Sequence, residues 1–549
     1  MGAGVIGLLL ATAFWVGRRL WFFSDDWNIL ADYHSGNLLE PFNGHLSLLP
    51  AGAYQVLFHT VGLGSYLPYR LCGLVALGIL GFQVLRYARG RVGPWAAVVA
   101  VAAVMWNSYG NTNVMFPFLM NFSLPIAALV AIWWHLDRAR SAGSPAEGPL
   151  AKGFTRDDAA AGVWLAVALA ASGLGVMTLG AVVVELAVTR APWRRWVAFA
   201  PASGLWLAWW VGHREANDIA TDLPRVATYA LQMMWGGTTA LAAGSKPLGL
   251  VLAAALVALL VVGATRWHSL DGRVLGALAA ALAFAGLTAL TRLDVRPSIP
   301  PDELRYGWTI GAYLVLAALA AWRPSAADRE RAGTAGARWW RPAAFALAVG
   351  VLAVGAVRLV GDMGSWTDMV AGAAPGLRAN LYAAEAAGAE RVGPDAVIRP
   401  LSFVPVTAQS YLGAVADVGS PLQGATRPEI GGRPDQREAA DRLLFGAVHP
   451  TLRTALPGAR GTSPDRTGCA STITAAAGRV VTVVGGDPVA APGTVAVSRF
   501  SDGTGAEVEV ARPGAANELV LPADATVGTD AVVPYRLRAT PGLLLCAPR

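Results

Sequence analysis

Residues 22–50 read FFSDDWNILADYHSGNLLEPFNGHLSLLP and follow directly on an apolar stretch that begins at residue 3. The segment has no lysine or arginine, but it contains the acids Asp25, Asp26, Asp32 and Glu40 and the histidines His34 and His45. Adjacent acids at a membrane surface are costly unless they are solvated or used. Because the segment is also aromatic and amphipathic, it predicts juxtamembrane helices packed on a helical bundle.

The composition of the whole chain indicates an integral membrane protein. Of 549 residues, 54% are hydrophobic and 14% are charged, against about 25% charged in soluble domains. The mean hydropathy is +0.46. These values exclude a disordered chain, a collagen-like chain and a disulfide-dense secreted scaffold. The basic excess lies in the apolar part, because residues 1–361 carry a net charge of +9 and residues 362–549 one of −2. The sequence has no basic patch with interleaved aromatic residues, so we expect no nucleic-acid partner.

Apolar stretches long enough, or nearly long enough, to cross a bilayer recur along the first two thirds of the chain. They cover about residues 3–22, 66–85, 94–106, 119–136, 159–171, 174–189, 196–212, 247–265, 274–291, 307–322 and 342–361. With the N-terminus in the cytoplasm, most arginines fall in the inner loops, as the positive-inside rule requires. About eleven spans then place residues 362–549 outside the cytoplasm. We expect a multi-pass plasma-membrane protein.

The predicted fold is a mainly α transmembrane bundle at residues 1–361, followed by an extracytoplasmic α/β region. Residues 362–461 read as mixed helix and loop, with helical stretches near Leu377–Ala389 and Asp435–Phe445. Residues 462–549 alternate in short runs between turn residues, which is typical of a β-sandwich.

Two of the three cysteines bracket this last module. A Cys469–Cys546 disulfide would tie its first strand to its last in an oxidising compartment. The alternative is two unpaired thiols.

Asp25 and Asp26 allow two interpretations. In the simpler one, Ser24-Asp25-Asp26 caps a surface helix, since acids suit a helix N-terminus. In the other, the acids belong to juxtamembrane helices packed on the bundle. Adjacent side chains diverge by about 100° on a helix, so only one of the two would face a cavity, and the sequence does not decide which.

The acidic pair after the first span, the long first outer loop, the span number and the outer C-terminal region resemble the GT-C glycosyltransferases. The likeness is greatest to actinobacterial arabinofuranosyltransferases of cell-wall arabinan synthesis, although the motif is short: DDW at Asp25–Trp27, with NGHL at Asn43–Leu46. The resemblance implies a polyprenyl-phosphate sugar donor, an envelope glycan or lipid acceptor, and transfer with inversion. It also implies that Asp25 or Asp26 is the catalytic base.

Such a transfer needs a base for the acceptor hydroxyl and cations for the departing phosphate. The segment DVRPSIPPDELRYGWTIG supplies Arg296 and Arg305, and the pair Arg305-Tyr306 resembles an Arg-Tyr pair that many such enzymes carry before a late helix. Arg225 and Lys246 flank another outer segment. A guanidinium binds phosphate oxygens as a two-pronged donor. The alternative role of all these residues is interface anchoring beside aromatic rings.

Asn43 and His45 are further candidates for substrate binding, because His45 could orient a sugar or the base. A lone loop histidine is, however, often only solvated. We expect no dedicated metal site: Glu215, Asp218 and Asp222 could touch a divalent cation but lack the spacing of one.

Two other classes of function compete with the transferase. A transporter or flippase of envelope precursors would use the outer acids and arginines to line a path, but transporters keep ionisable groups near the bilayer midplane. A catalytically silent envelope scaffold would use the β-module to bind glycans.

Overall fold

The computed structural model describes residues 2–141, 154–213, 220–266, 271–294, 299–321, 340–393, 396–398, 405–423, 430–454, 468–485, 492–503, 505–510, 517–525 and 533–546. The chain forms two compact units. The first comprises Met1–Arg19, Leu38–Tyr54 and Leu67–Thr367. The second comprises Leu20–Asn37, Gln55–Tyr66 and Asp368–Arg549.

Helices dominate the described chain. They are α1 (Gly2–Val16), α2 (Asp25–Tyr33), α3 (Leu48–Thr60), α4 (Leu67–Met105), α5 (Asn111–Met115), α6 (Met120–Ser141), α7 (Arg156–Ala171), α8 (Leu174–Val188), α9 (Trp193–His213), α10 (Leu223–Leu241), α11 (Lys246–Arg266), α12 (Gly272–Arg292), α13 (Leu304–Ala321), α14 (Trp340–Ala387), α15 (Ala408–Val418) and α16 (Pro434–Ala447). Short 3₁₀ turns occupy Gly17–Arg19 and Pro117–Leu119.

The strands lie in the second unit. They are β1 (Val397–Ile398), β2 (Val406–Thr407), β3 (Thr451–Thr454), β4 (Cys469–Ala470), β5 (Thr472–Ala475), β6 (Val480–Gly485), β7 (Gly493–Ser498), β8 (Ala506–Val510), β9 (Asn517–Val520), β10 (Tyr535–Ala539) and β11 (Leu543–Cys546).

Five segments among the described residues are long and apolar enough to cross a membrane. They are Leu67–Met105, Pro117–Arg140, Gly272–Arg292, Leu304–Ala321 and Phe345–Ala387. The pair Leu223–Leu241 and Lys246–Ala258, bent by 106°, could form a sixth. The expected eleven spans are therefore not confirmed. One reason is length: α1, α7 and α8 have only 15 or 16 residues, whereas a straight span needs about 20.

Two predicted boundaries have different outcomes. The stretches predicted at 66–85 and 94–106 both lie in α4, whose two helical parts are separated by a kink at Gly93 (φ 82) before Pro94, so the predicted break between them is present. The last apolar stretch continues as α14 to Ala387, so it includes most of the helix predicted near Leu377–Ala389. The helix predicted near Asp435–Phe445 is confirmed as α16.

Helix α6 is the most deeply buried helix of the first unit. Its residues 126–133 are all fully buried, as expected for a helix that is apolar on every side.

Small residues allow the backbones of α8 and α12 to approach each other closely. A Cβ at Gly276 of α12 would lie 2.5 Å from the Ala181 carbonyl oxygen of α8. Such glycine contacts are typical of helices packed within membranes.

A charged network joins several helices of this unit. Arg273 of α12 is 0% exposed and donates hydrogen bonds of 2.8 Å each to Glu185 and Asp137, and one of 3.0 Å to the Trp133 carbonyl oxygen. Glu185, also fully buried, accepts a further hydrogen bond of 2.9 Å from Arg140. Each buried charge in the network therefore has a charged partner.

The β-rich part of the second unit contains two antiparallel sheets. One has the strand order β5-β10-β7-β8 and the other β3-β9-β6-β11-β4. Alternate residues such as Val481 and Val483 on β6, or Val495 and Val497 on β7, are fully buried, so one face of each sheet belongs to the core. Strand β3 precedes residue 462, and the larger sheet therefore includes chain from outside the predicted β-module.

The predicted Cys469–Cys546 disulfide is confirmed. The two residues face each other in register on β4 and β11. Cys72, on α4, is unpaired and half-buried.

We expect Arg273→Met to lower the free energy of unfolding by about 3–5 kcal/mol, because it leaves the fully buried Glu185 without its main partner. Arg140→Met is the matched control: Arg140 is 32% exposed, so its loss should cost much less. Denaturant unfolding of the purified protein in bicelles measures both. Equal losses for the two variants would show that Arg273 is not the centre of the network.

Replacing Cys469 and Cys546 together by serine should destabilise the β-rich region by about 2–5 kcal/mol, because the bond closes a long loop. Its two cysteines are 77 positions apart. Thermal unfolding with and without reductant measures the effect, with Cys72→Ser as the control. Reductant should destabilise the wild type and leave the double variant unchanged; an equal response of both would contradict the prediction.

Candidate active site

Asp25 and Asp26 are the first two residues of α2, in the second unit. Ser24 before them has φ 52, and its side chain makes no capping hydrogen bond. Asp26 instead accepts a hydrogen bond of 2.9 Å from the Phe23 backbone N–H. This bond joins the first turn of α2 to the chain before the helix and satisfies no N–H group of the helix itself.

The two carboxylates have different surroundings. Asp26 is 1% exposed, and its Oδ2 also accepts a hydrogen bond of 2.8 Å from the Tyr66 hydroxyl. The Tyr66 ring packs edge-on against Phe22, with 4.8 Å between ring centroids. Asp25 is only half-buried, and the Ser24 hydroxyl lies 3.4 Å from its Oδ1. Asp25 is thus the more accessible of the two acids.

A buried network supports the first turn of α2. Trp27 is 2% exposed, and its ring packs edge-on against Tyr411 at 6.2 Å. The Tyr411 hydroxyl donates to Glu385 at 2.6 Å, and the Ser420 hydroxyl donates to the same carboxylate oxygen at 2.8 Å. Burial and the negative charge of Glu385 raise the pKa of Tyr411 well above its ordinary value, so its hydroxyl stays protonated as a donor. Such a network holds the DDW turn in one conformation.

The NGHL motif forms a tight turn in the first unit. Asn43 and Gly44 have φ angles of 52 and 76, and Phe42 and His45 exchange backbone hydrogen bonds of 2.9 and 3.0 Å. Two consecutive positive φ angles define a type I′ turn, for which Asn-Gly is a preferred pair. Phe42 packs edge-on against Phe118 at 4.8 Å, which anchors the turn. Asn43 is exposed at its tip.

This turn sets His45 in a crowded recess. Part of the residue is accessible, but its ring lies against other chain: a Cβ built on Gly173 would be only 2.8 Å from its Nδ1. Desolvation and the positive charge of Arg292 lower the pKa of His45 below its usual 6.5. The ring is therefore neutral at pH 7, with one nitrogen able to donate a hydrogen bond and the other able to accept one.

Arg305 and Tyr306 lie in the first turn of α13. Tyr306 is 5% exposed, and its ring packs edge-on against Phe284 of α12 at 5.8 Å. Arg305 is half-buried, with its guanidinium carbon 5.3 Å from the Tyr306 ring centroid. Its carbonyl oxygen accepts a hydrogen bond of 3.4 Å from Asn113. The arginine therefore sits in the helical unit rather than extending into solvent.

Tyr229 of α10 lies within electrostatic range of Arg305 and Tyr306. Its hydroxyl donates a hydrogen bond of 2.8 Å to the Ile299 carbonyl oxygen. The groups that act electrostatically on this hydroxyl are Tyr306, Glu303, Arg292 and Arg305. Since Arg292 also acts on His45, the end of α12 lies within electrostatic range of both Tyr229 and the NGHL turn. Sequence reasoning missed Arg292 as a site residue; its signal was the position at the end of the helix that precedes the Arg305 segment.

Lys246, the first residue of α11, is already paired. Its Nζ lies 3.3 Å from the Asp302 carboxylate and 5.9 Å from the centroid of the Trp235 ring. The three residues line a cavity of about 180 Å³ together with Tyr109, Gln232, Gly236, Thr239 and Pro301.

Arg225 is also paired, with Asp294 at 3.5 Å and Asp222 at 4.0 Å. It is 58% exposed, and Asp222 caps α10 through the Arg225 backbone N–H. Arg296 lies outside the described residues.

No group of three His, Cys, Asp or Glu side chains among the described residues could hold a metal ion. Of the acids near residue 218, only Asp222 is described; Glu215 and Asp218 fall outside the described ranges.

No protein-family model and no curated protein matches the chain. Among solved structures, two crystal structures of ArnT from Cupriavidus metallidurans match. The one bound to undecaprenyl phosphate has 15% identity and a TM-score of 0.45, covering 81% of this chain and 87% of that one. The apo form has 14% identity and a TM-score of 0.42, covering 82% and 91%. TM-scores at this level do not establish a common fold, so no residue role follows from them.

We expect Arg292→Gln to raise the pKa of His45, because it removes a positive charge that favours the neutral ring. The pKa should remain below 6.5, because the desolvation persists. Histidine-labelled protein in detergent, titrated by NMR and assigned with His45→Asn, gives the midpoint. Arg225→Gln, another arginine of the same unit, is the control and should leave the midpoint unchanged. A downward shift with Arg292→Gln would contradict the electrostatic assignment.

Proposed function

We propose that this protein is a GT-C-type glycosyltransferase that moves a sugar from a polyprenyl-phosphate donor to a cell-envelope glycan or lipid acceptor. The reaction takes place at the outer face of the plasma membrane, with the N-terminus in the cytoplasm and the C-terminal region outside. Among GT-C enzymes, the actinobacterial arabinofuranosyltransferases are the subgroup that its DDW motif resembles.

The observation that carries the proposal is the contrast between the two acids at the start of α2. Asp26 is buried and accepts hydrogen bonds from Phe23 and Tyr66. Asp25 is more accessible, so its carboxylate can reach an acceptor hydroxyl. A carboxylate must come within hydrogen-bond reach of the proton that it removes. We therefore assign the base to Asp25 and the positioning of the turn to Asp26.

In the proposed reaction, Asp25 takes the proton of the acceptor hydroxyl as its oxygen attacks the anomeric carbon of the donor sugar. The bond between this carbon and the phosphate oxygen breaks, and polyprenyl phosphate leaves with the bonding electrons. A single displacement of this kind inverts the anomeric centre. The negative charge that develops on the leaving phosphate has to be stabilised by cations or hydrogen-bond donors.

The position of Arg305 favours it for this task, because the residue is half-buried in the first turn of α13 and its guanidinium lies beside the Tyr306 ring. Arg292, at the end of α12, acts electrostatically on His45 and, together with Arg305, on Tyr229. We therefore propose Arg305 as the principal phosphate ligand, with Arg292 and Tyr306 beside it, and His45 and Asn43 as donors to the sugar. Lys246, Arg225 and Arg296 take secondary roles. No metal ion is required by this scheme, although a divalent cation could assist.

The distribution of buried charge favours a transferase over a transporter. A transporter places ionisable groups near the middle of its spans. Here the buried pair Arg273 and Glu185 lies near helix ends: Arg273 is the second residue of α12, and Glu185 is in the last turn of α8. Asp137 likewise lies near the end of α6.

We expect Asp25→Asn to lower turnover by about 10²–10⁴-fold, because the amide cannot accept the acceptor proton. The full chain in nanodiscs is assayed against a panel of polyprenyl-phosphate pentoses and hexoses, with thermal unfolding as the folding check. Asp32→Asn is the matched control, since Asp32 lies on the same helix and is exposed.

The expected pattern is loss of transfer with Asp25→Asn, an unchanged unfolding temperature, and near wild-type transfer with Asp32→Asn. Unlike Asp25→Asn, the Asp26→Asn variant should have a lower unfolding temperature than the wild type, because it alters a buried hydrogen-bond acceptor. Wild-type transfer by the Asp25 variant would rule out this residue as the base. A wild type with no transfer from any donor would favour the scaffold function.

A further inference from the structure

Two arginines share one indole ring in the first unit. The guanidinium carbon of Arg86, on α4, lies 3.6 Å from the centroid of the Trp134 ring. That of Arg138, on α6, lies 4.7 Å from the same centroid. Trp134 and Arg138 are four residues apart and therefore lie on one face of α6. Arginine stacks well on aromatic rings, but two guanidiniums on one ring also repel each other.

The charges that face the two arginines do not balance. Arg138 lies 3.4 Å from the Asp157 carboxylate, which also bonds to Nδ1 of His135 at 2.7 Å. Arg86 donates to the neutral Gln83 side chain at 2.6 Å. Within the described ranges, Arg86 makes no ion pair, and its buried Nε has no hydrogen-bond partner. Two guanidiniums therefore face one carboxylate.

Part of the cluster formed by Arg86, Arg138 and Trp134 is exposed, so a ligand from outside could reach it. Arg138 is 59% exposed, and Trp134 is half-buried. Phe82, whose ring lies 5.8 Å from the Arg86 guanidinium, is 54% exposed. Both arginines lie on segments apolar enough to cross a membrane. A tryptophan flanked by arginines near the end of such a segment is typical of the level of the lipid headgroups.

We propose that Arg86, Arg138 and Trp134 form a binding site for the phosphate of an anionic phospholipid. Guanidiniums bind phosphate oxygens through paired N–H donors, and a bound phosphate would relieve the repulsion between the two arginines. Basic pockets between membrane helices bind anionic headgroups in this way. The indole and the exposed Phe82 ring offer apolar contact to the adjoining glycerol and acyl chain. The site is independent of the proposed transferase chemistry.

The test measures lipid binding to the delipidated full chain by native mass spectrometry. Dioleoylphosphatidylglycerol is titrated against wild type, Arg86→Gln, Arg138→Gln and the double variant. Each substitution should weaken binding by roughly fivefold, the usual contribution of one arginine near an anionic headgroup. Arg89→Gln is the matched control: it removes the same charge from an exposed position on the same helix and should change little.

Two further binding measurements, one with a zwitterionic lipid and one with inorganic phosphate, identify the source of the phosphate. Dioleoylphosphatidylcholine should bind more weakly than the anionic lipid and show less dependence on the two arginines. Inorganic phosphate should not displace the anionic lipid; displacement that depends on Arg86 and Arg138 would make the ligand a soluble phosphate and overturn the lipid assignment. If the double variant fails to fold, lipid binding by the single variant Arg138→Gln tests the site. Equal lipid binding by wild type and Arg138→Gln, or an equal loss with Arg89→Gln, would refute the site.

Discussion

Arg273 is fully buried among apolar helices, and its guanidinium is shared between Glu185, Asp137 and the Trp133 carbonyl oxygen. A charge cannot remain in such surroundings without partners, because desolvation costs several kcal/mol per ion. The helices that supply the partners, α6 and α8, must therefore keep one register against α12. Glycine contacts such as Gly276 against Ala181 bring the backbones close enough for these bonds. The positions of the residues at the other end of α12, including Arg292, depend on this register.

The parts of the fold that could be predicted from the sequence are those with local signals. Alternating β-branched residues indicated the strands, and the positions of Cys469 and Cys546 indicated the bond between β4 and β11. Span counting was less successful, because hydropathy does not reveal the length of each helix, and α1, α7 and α8 are shorter than a straight span. Strand order could not be predicted either: β3 pairs with β9 across a long stretch of sequence, and nothing in Thr451–Thr454 indicates that partner.

The candidate site was predictable only in part. The Asn-Gly pair specifies its own turn, so the position of His45 follows from residues adjacent to it. The choice between Asp25 and Asp26 was not predictable, since it depends on Tyr66, forty residues further along the chain. Arg292 escaped notice for a similar reason: its relation to His45 arises from the packing of distant helices. Adjacent identical residues thus acquire different roles through contacts that spacing alone cannot encode.

The disulfide also has a mechanical consequence. Strand β4 is a two-residue edge strand, and Cys469 is held to β11 by the bond as well as by the sheet. A pulling force applied to the residues after Cys546 would pass through the sulfurs directly to residue 469. The residues between the two cysteines, which are 77 positions apart, would carry none of that load. The intervening strands are therefore shielded from tension on the chain's C-terminal end, however that end is held.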